Sequence, residues 1–234
     1  MLMTLVLSGI IFALFHTKST INSFLEQNLL FFHKFALKTS LMSLYVDIHT
    51  HHPTGLHTEL QAVGIHPWDA DKRSLEEVDF AHAQAIGEIG LDYACDVDAK
   101  IQKDIFRKQL EIAQELQKPV VLHCVRAFED AIRIIGHYTL PAVIFHGFIG
   151  SKEQAQRAID KGYYLSFGDR TWRSPKTIEA LRNTPLERIF IETDDAATTI
   201  DKQYLEVTRI KQVSLKELQI QIIDNYNKLF LPNE

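Results

Sequence analysis

Residues 44–53, LYVDIHTHHP, decide how the rest of the chain is read. Leu44, Tyr45, Val46 and Ile48 are the aliphatic, aromatic and β-branched residues that fill a strand. Side chains i, i+2 and i+4 of a strand share a face, so Asp47, His49 and His51 project together. A buried strand face is ordinarily apolar. An Asp-x-His-x-His face is therefore expected to bind something.

Outward from this strand, β-type and helix-type stretches alternate. Residues 60–67 (LQAVGIHP), 83–93, 119–124 (PVVLHC), 142–148 (AVIFHGF), 163–168 and 188–194 read as strands. Between them, residues 99–117 carry Ile101, Ile105, Phe106, Leu110, Ala113 and Leu116 at helical spacing. Residues 128–135 form a further helix that Gly136 can close. Helix starts are expected at the capping boxes Ser74–Glu77, Ser151–Gln154 and Ser214–Glu217, and at Ser174-Pro175. The strand cores at 120–122, 142–145 and 189–191 are continuously apolar, as in parallel sheets covered on both faces. The alternation predicts an α/β fold of parallel strands joined by helices.

Composition narrows the classes. With 46% hydrophobic and 24% charged residues the chain is an ordinary globular sequence, and 234 residues suit one large domain or two small ones. The formal charge of -5 and the lack of a Lys/Arg run exclude broad wrapping of duplex DNA, which needs a positive face. Cys95 and Cys124 make no disulfide framework, so a reducing, cytoplasmic setting is expected. The opening MLMTLVLSGIIFALF is shorter than the ~18–20 residues needed to cross a bilayer and has no basic residue before it. Residues 1–41 are read as an apolar extension outside the domain, with translation starting at Met42 and the domain filling 42–234. A signal or membrane-surface segment is the alternative for this stretch.

The polar residues fall at strand ends. Glu88 follows 83–86, His123 follows 120–122, His146 follows 143–145, and Glu192 and Asp194 follow 189–191. In a β/α barrel such ends share one face, where active sites gather. His49, His51, Glu88, His123, His146 and Asp194 are then expected to converge as metal ligands, since imidazole plus carboxylate suits Zn²⁺, Mn²⁺ or a related ion. One tetrahedral ion does not use six donors, whereas two ions sharing a bridging carboxylate do. A lone histidine at a strand end is usually structural, but that reading would have to explain four histidines and two acids at one face. His66, before Pro67, could support the site, bind substrate or be structural. His52 faces away from His51, and Cys124 away from His123.

The segments DIHTH, GIHPW, GEIGLDY, FRKQLEIAQELQKPVVLH, HGFIGSKEQA, LSFG and PLERIFIETD, in this order from about Met42 to Phe230, resemble the successive signatures of TatD-family metal-dependent hydrolases. The resemblance implies a TIM-type barrel and, for many members, deoxyribonuclease activity. It implies that His49 and His51 bind one ion, that Glu88 bridges, that His123 and His146 complete the set, and that Asp194 binds metal and handles the nucleophilic water. Asp194 and Glu88 are thus the expected catalytic groups.

The chain also departs from the family. Family members carry a helix, a strand and a helix between the H-x-H motif and the G-I-H-P strand. Here residues 52–63 cannot hold that unit, so a barrel of about seven strands, open or distorted between Ile48 and Gly64, is expected. The family's His-Ser-Arg-Asp-Ala becomes His123-Cys124-Val125-Arg126-Ala127, with the arginine shifted by one, and Asp195 replaces an alanine after Asp194.

Two divalent ions (Mg²⁺, Mn²⁺ or Zn²⁺) can activate water at neutral pH and neutralise a phosphoryl transition state. The loop GDRTWRSPK (168–176) offers Arg170 and Arg173 for phosphate and Trp172 for stacking. With His66 and Arg126 these are the expected substrate-binding residues. The expected partner is single-stranded or frayed DNA. No stable protein partner is indicated, and a membrane is disfavoured. The alternatives are an amidohydrolase-type enzyme on a small amide or ester, or a non-catalytic metal-binding relative.

Overall fold

The structure is a computed structural model, and it describes residues 44–231. The expectations for residues 1–41 and for a start at Met42 lie outside the described residues. Six parallel strands form one sheet in chain order: β3 (Ala62–Val63), β4 (Ala85–Asp92), β5 (Val120–Val125), β6 (Val143–Phe145), β7 (Tyr164–Phe167) and β8 (Ile189–Ile191). A second parallel pair joins β1 (Val46–Asp47) to β2 (Thr58–Glu59).

Helices α1 (Ala99–Glu115), α2 (Phe128–Ile135), α3 (Lys152–Asp160), α4 (Pro175–Asn183), α5 (Ile200–Lys211) and α6 (Leu215–Phe230) follow the later strands. The strand residues Val120, Val121, Leu122, Ile144, Leu165, Ile189, Phe190 and Ile191 are all fully buried. Continuous apolar runs of this kind are what a sheet covered on both faces requires.

The predicted shortening is real, and the ring closes in spite of it. β2 and β3 are two halves of one kinked segment, interrupted at Leu60-Gln61. Its first half bonds to β1, through Thr58 N–H to Tyr45 O (3.1 Å) and Leu60 N–H to Asp47 O (3.3 Å). Its second half pairs with β4. On the other side of β1, Ile48 N–H donates to Ile191 O (3.1 Å), Asp194 N–H to His49 O (3.0 Å) and His51 N–H to Asp194 O (3.1 Å). Main-chain hydrogen bonds thus run through seven strand positions and return to the start. Of the two expected forms, open or distorted, the stretch between Ile48 and Gly64 is distorted, with a kink at Leu60-Gln61.

No helix is needed for the return from His51 to Thr58. Six intervening residues span up to about 20 Å when extended, enough to run back beside a short strand. Glu59 fixes the turn, its carboxylate accepting from Thr54 N–H, Thr54 Oγ1 and Gly55 N–H at 2.7–3.1 Å.

Of the predicted caps, Ser151 and Gln154 form a reciprocal capping box on α3. Ser174 accepts from Thr177 N–H ahead of Pro175, and Ser214 from Glu217 N–H. Ser74 is a correction. It precedes a 3₁₀ turn at Leu75–Glu77 but makes no side-chain cap, because a single turn presents too little helix for a reciprocal box. α5 is an element that its sequence did not announce. Its residues follow Thr199, which makes no side-chain cap.

α5 nonetheless anchors β1. The fully buried Tyr204 hydroxyl donates to Val46 O and accepts from Val46 N–H, both at 3.1 Å. Tyr204→Phe should leave both groups of Val46 without that partner, costing about 1–3 kcal/mol. Denaturant unfolding checks this, and a loss below about 0.5 kcal/mol would show that water or a strand shift replaces the hydroxyl.

Candidate metal centre

The tips of the strands carry the chemistry, and Glu88 occupies their common centre. The β4–β5 register shifts between Ile86 and Ile89, taking Gly87 and Glu88 out of the ladder. Shifts of this type re-aim side chains beside active sites. The flanking glycines permit it. A Cβ on Gly87 would lie 2.6 Å from Val121 Cβ, and one on Gly90 (φ +144°) 2.0 Å from His123 O.

Four histidines close on the Glu88 carboxylate. Oε1 lies 2.8 Å from His49 Nε2 and 3.1 Å from His51 Nε2. Oε2 lies 2.8 Å from His146 Nε2 and 3.3 Å from His123 Nδ1. Asp194 Oδ1 is 3.5 Å from His51 Nε2 and 3.7 Å from His49 Nε2. All six predicted ligands therefore meet. His66 joins them, its Nε2 3.7 Å from Glu88 Oε2 and its ring centroid 4.3 Å from that of His123.

Asp47, on the same predicted face, does not reach the cluster. Its carboxylate accepts from Thr193 N–H (3.1 Å) and Thr193 Oγ1 (2.6 Å), holding the β8 tip. Burial pushes its carboxyl up to about 7. His52 is exposed and bonds Asp195 instead (3.0 Å). The Cys124 thiol is pushed up to about 12 by burial, as a packed thiol should be.

Charge is balanced tightly here. Burial opposes ionisation of Glu88, but hydrogen bonds from His123, His146 and His49 outweigh it and hold the carboxyl far below its ordinary range. His146 is the reverse case. Burial works against its charge, while Glu192 and Glu88 push it up to about 10. His66 is pushed down to about 4 by burial and by neighbouring His123.

The donors fit a divalent ion. His49–Glu88–His146, His49–His51–Asp194, His66–Glu88–His123 and His146–Glu192–Asp194 each bring three ligand atoms within 4.8 Å of one another. His146 Nδ1 and Glu192 Oε2 are buried with no hydrogen-bond partner, which a ligated nitrogen or oxygen would explain.

Three neighbours matter beyond the predicted set. Asp92, at the end of β4, accepts from Trp68 Nε1 (2.7 Å) and lies 3.3 Å from His123 Nε2, a carboxylate–histidine pair of the kind that orients ligands. Glu192 accepts from Gly147 N–H (2.6 Å) and lies 3.7 Å from His146 Nδ1. Trp68 is 53% exposed, with its ring 4.8 Å from His66. Strand-end position pointed to Glu192, whereas the sequence reading passed over Asp92, which lies beyond Glu88 at the end of the long strand β4. Nothing local marked Trp68 apart from its place after His66-Pro67.

Buried glutamines of α1 fix these tips. Gln102 accepts from Asp92 N–H (2.7 Å) and donates to Asp92 O (2.8 Å). Gln109 does the same for Ile65, at 2.6 and 3.1 Å, and so places the adjacent His66.

The candidate substrate residues separate. A cavity of about 610 Å³ is lined by His51, His66, Trp68, Glu88, Arg170 and Asp194, among others. Arg126 lines a neighbouring cavity. Trp172 points inward, its Nε1 donating to Gln203 (2.7 Å), and Arg173 is paired with Asp169 while lining a small cavity of about 210 Å³ beside Asp194. The exposed aromatic ring at the metal cavity is that of Trp68.

Residues 56–231 match the family described as TatD related DNase. The chain belongs to this family of metal-dependent hydrolases. His49 and His51 precede the matched stretch, and the fold brings them to it. The chain is 32% identical over 199 residues to the uncharacterized metal-dependent hydrolase YabD of Bacillus subtilis, covering 74% of this chain and 77% of that one. Over 146 residues it is 35% identical to the 3'-5' ssDNA/RNA exonuclease TatD of Salmonella typhimurium, covering 56% and 55%. Among solved structures, YJJV, a TatD homologue from Escherichia coli K12, superposes with a TM-score of 0.68 at 26% identity over 75% of this chain and 78% of that one.

Two outcomes follow for the TatD-type cluster. Because Glu192 and Glu88 favour the protonated form of His146 and push its pKa up to about 10, binding a metal through this ring near pH 7.5 should release a proton. Metal affinity should therefore rise with pH and fall on acidification. Calorimetry in buffers of different ionisation enthalpy should find at least about one proton released per loaded protein. No release would mean that His146 is not a ligand. Separately, Glu88→Ala should lower total bound metal more than His51→Ala does, since it removes a donor shared by two groups. Elemental analysis after dialysis against metal decides this, and equal losses would deny Glu88 its central place.

Proposed function

We propose that this TatD-family hydrolase is a deoxyribonuclease that cleaves phosphodiester bonds at single-stranded or frayed DNA ends. The observation that carries the reading is the convergence of His49, His51, His66, His123, His146 and Asp194 around Glu88, all but His49 lining one cavity. The name of the Salmonella relative, a single-strand exonuclease, supports the same substrate class. His49, His51 and Asp194 would hold one ion and His123, His146 and His66 a second, with the Glu88 carboxylate within reach of both sets. When bound, divalent ions supply a Lewis acid for the phosphoryl oxygens and make water acidic at neutral pH.

The chain's own residues do the rest. Asp194 takes the proton of the attacking water. Its main chain sits at φ +54° and is held by two main-chain hydrogen bonds, to His49 O and from His51 N–H, which place its Cα beside these histidines. Water attacks phosphorus, the P–O bond to the leaving sugar oxygen breaks, and that oxygen leaves as a hydroxyl with a proton from solvent, while Asp194 returns the proton it took to solvent. Arg170, exposed at the cavity edge, offers a guanidinium to non-bridging oxygens. Trp68 offers a ring face to a base, its edge anchored by Asp92. Cys95 and Cys124 are free, which fits a reducing cytoplasmic setting. No helix among the described residues is long and apolar enough to cross a membrane.

Asp194→Asn should keep the fold yet lose activity by ~10²–10⁴-fold, the usual contribution of a general base, with loss of a ligand adding to it. The assay compares labelled oligonucleotides with and without a 3′ overhang in Mg²⁺, Mn²⁺ and Zn²⁺, beside a panel of amides and esters. DNA left intact in every metal, with turnover of an amide that Asp194→Asn abolishes, would make the protein an amidohydrolase instead.

A further inference from the structure

A second cavity, of about 720 Å³, lies beside the metal cavity and shares Val125, His146 and Arg170 with it. The reaction above leaves it without a role. Its walls include the aromatic rings of Tyr93, Phe128 and Phe148, and its charged residues are Arg126, Arg170, Lys176, Glu129 and Asp130.

The charges in this cavity are unequally matched. Glu129 is held by Arg157 through two hydrogen bonds of 2.6 and 2.8 Å. Asp130 is held by Lys103 (2.7 Å), by the Tyr93 hydroxyl (2.5 Å) and by Arg133. The cations that neutralise these acids do not line the cavity. The cavity's own cations have no such partners.

The contrast is sharpest for arginine. Among the described residues, Arg73, Arg107, Arg133, Arg157, Arg173, Arg182 and Arg209 each pair with a carboxylate, and Arg188 donates to Gly162 O. Arg126 and Arg170 have no hydrogen bond, ion pair or ring contact, and both line this cavity. The pocket is thus locally positive on a chain of net charge -5. Positive edges over aromatic walls, opening onto a phosphodiester-cleaving centre, match a nucleotide's phosphate and base.

We infer that this cavity is a nucleotide subsite, holding the nucleotide next to the scissile phosphate. Arg126 and Lys176 contact its outer phosphate, Arg170 spans both cavities, and the Phe128 and Tyr93 wall receives its base. The inference rests on the phosphodiesterase reading above. It implies that the enzyme prefers substrates long enough to fill both cavities over esters that reach only the metal centre.

Metal-loaded protein is assayed on bis(p-nitrophenyl) phosphate, which fills one cavity, and on oligothymidylates of two to six residues. Binding of a fluorescent oligothymidylate to metal-free protein is measured over a salt series. Wild type should favour the oligomers in kcat/KM. Arg126→Ala should cut that preference roughly tenfold or more, mostly through KM. It should also weaken binding and reduce the slope of log Kd against log salt by about one. Arg126→Lys should recover part of the binding, which a merely structural role would not give. Bis(p-nitrophenyl) phosphate turned over with no gain on longer substrates, or oligomer binding unchanged in Arg126→Ala, would overturn the subsite. No turnover of either class by metal-loaded protein would overturn the phosphodiesterase reading, and the subsite with it.

Discussion

The Glu88 carboxylate is the constraint around which this molecule is arranged. A buried anion among apolar strands would cost several kcal/mol if left alone. Four histidines and one shifted register in β4 make it tolerable. Each histidine stands on a different strand tip or beside another on the same tip, so the anion can be satisfied only if the ring of strands is complete. Site and fold are therefore one problem. The imidazole nitrogens around Glu88 occupy positions suited to a cation, and the orphaned atoms of His146 and Glu192 lie in the same cluster.

The scaffold meets that demand with hydrogen bonds placed at strand ends more than with additional apolar contact. Gln102 and Gln109 are buried polar residues on the core face of α1, where propensity and packing alone would favour leucine. They complete the main chain of Asp92 and Ile65 just where the β ladder runs out. Tyr204 does this for Val46, and Asp47 for Thr193. Short strands that end early leave main-chain groups unpaired at the mouth of the ring, and each would cost free energy if buried without a partner. Long-range side chains fill these places, and they hold the tips that carry His49, His66 and Asp194.

This explains what was legible in the sequence. The ligand set was readable because parallel strands bring their C-terminal ends to one face, so position along a strand nearly determines position in space. His49, His51, Glu88, His123, His146 and Asp194 all met as that rule requires. Asp47 shows where strand parity fails: β1 ends at Asp47, and beyond it the chain is held by single bridges to Asp194. The roles of Gln102, Gln109 and Tyr204 were not legible, since each partner lies 10 to 158 residues away and a polar residue on a helix reads locally as solvated. Trp172 was misplaced for a related reason. A loop tryptophan reads as exposed, but Gln203 on α5 draws its indole N–H inward, and α5 itself carried no cap to announce it.

The seven-position ring raises the question of how a closed sheet loses a strand without losing its site. The histidines on either side of the shortened region are His51 and His66, and both still face Glu88. One segment, residues 58–63, serves two neighbours in turn: it pairs with β1 while still near the bottom of the ring and with β4 after the kink at Leu60-Gln61. A full strand pairs with both neighbours along its whole length, so this segment gives up about half of the ladder bonds on each side. Gln84 recovers part of them at the kink, donating its N–H to Gln61 O (3.3 Å) and accepting from Gln61 N–H through Oε1 (3.0 Å). The turn before it is fixed by Glu59. What is lost is covering structure outside the ring in this sector. The loop after His51 is short and exposed, and it leaves His51, at 52% side-chain exposure, the most open of the four histidines around Glu88. The shortened sector therefore changes how solvent reaches the centre without displacing the histidines around Glu88.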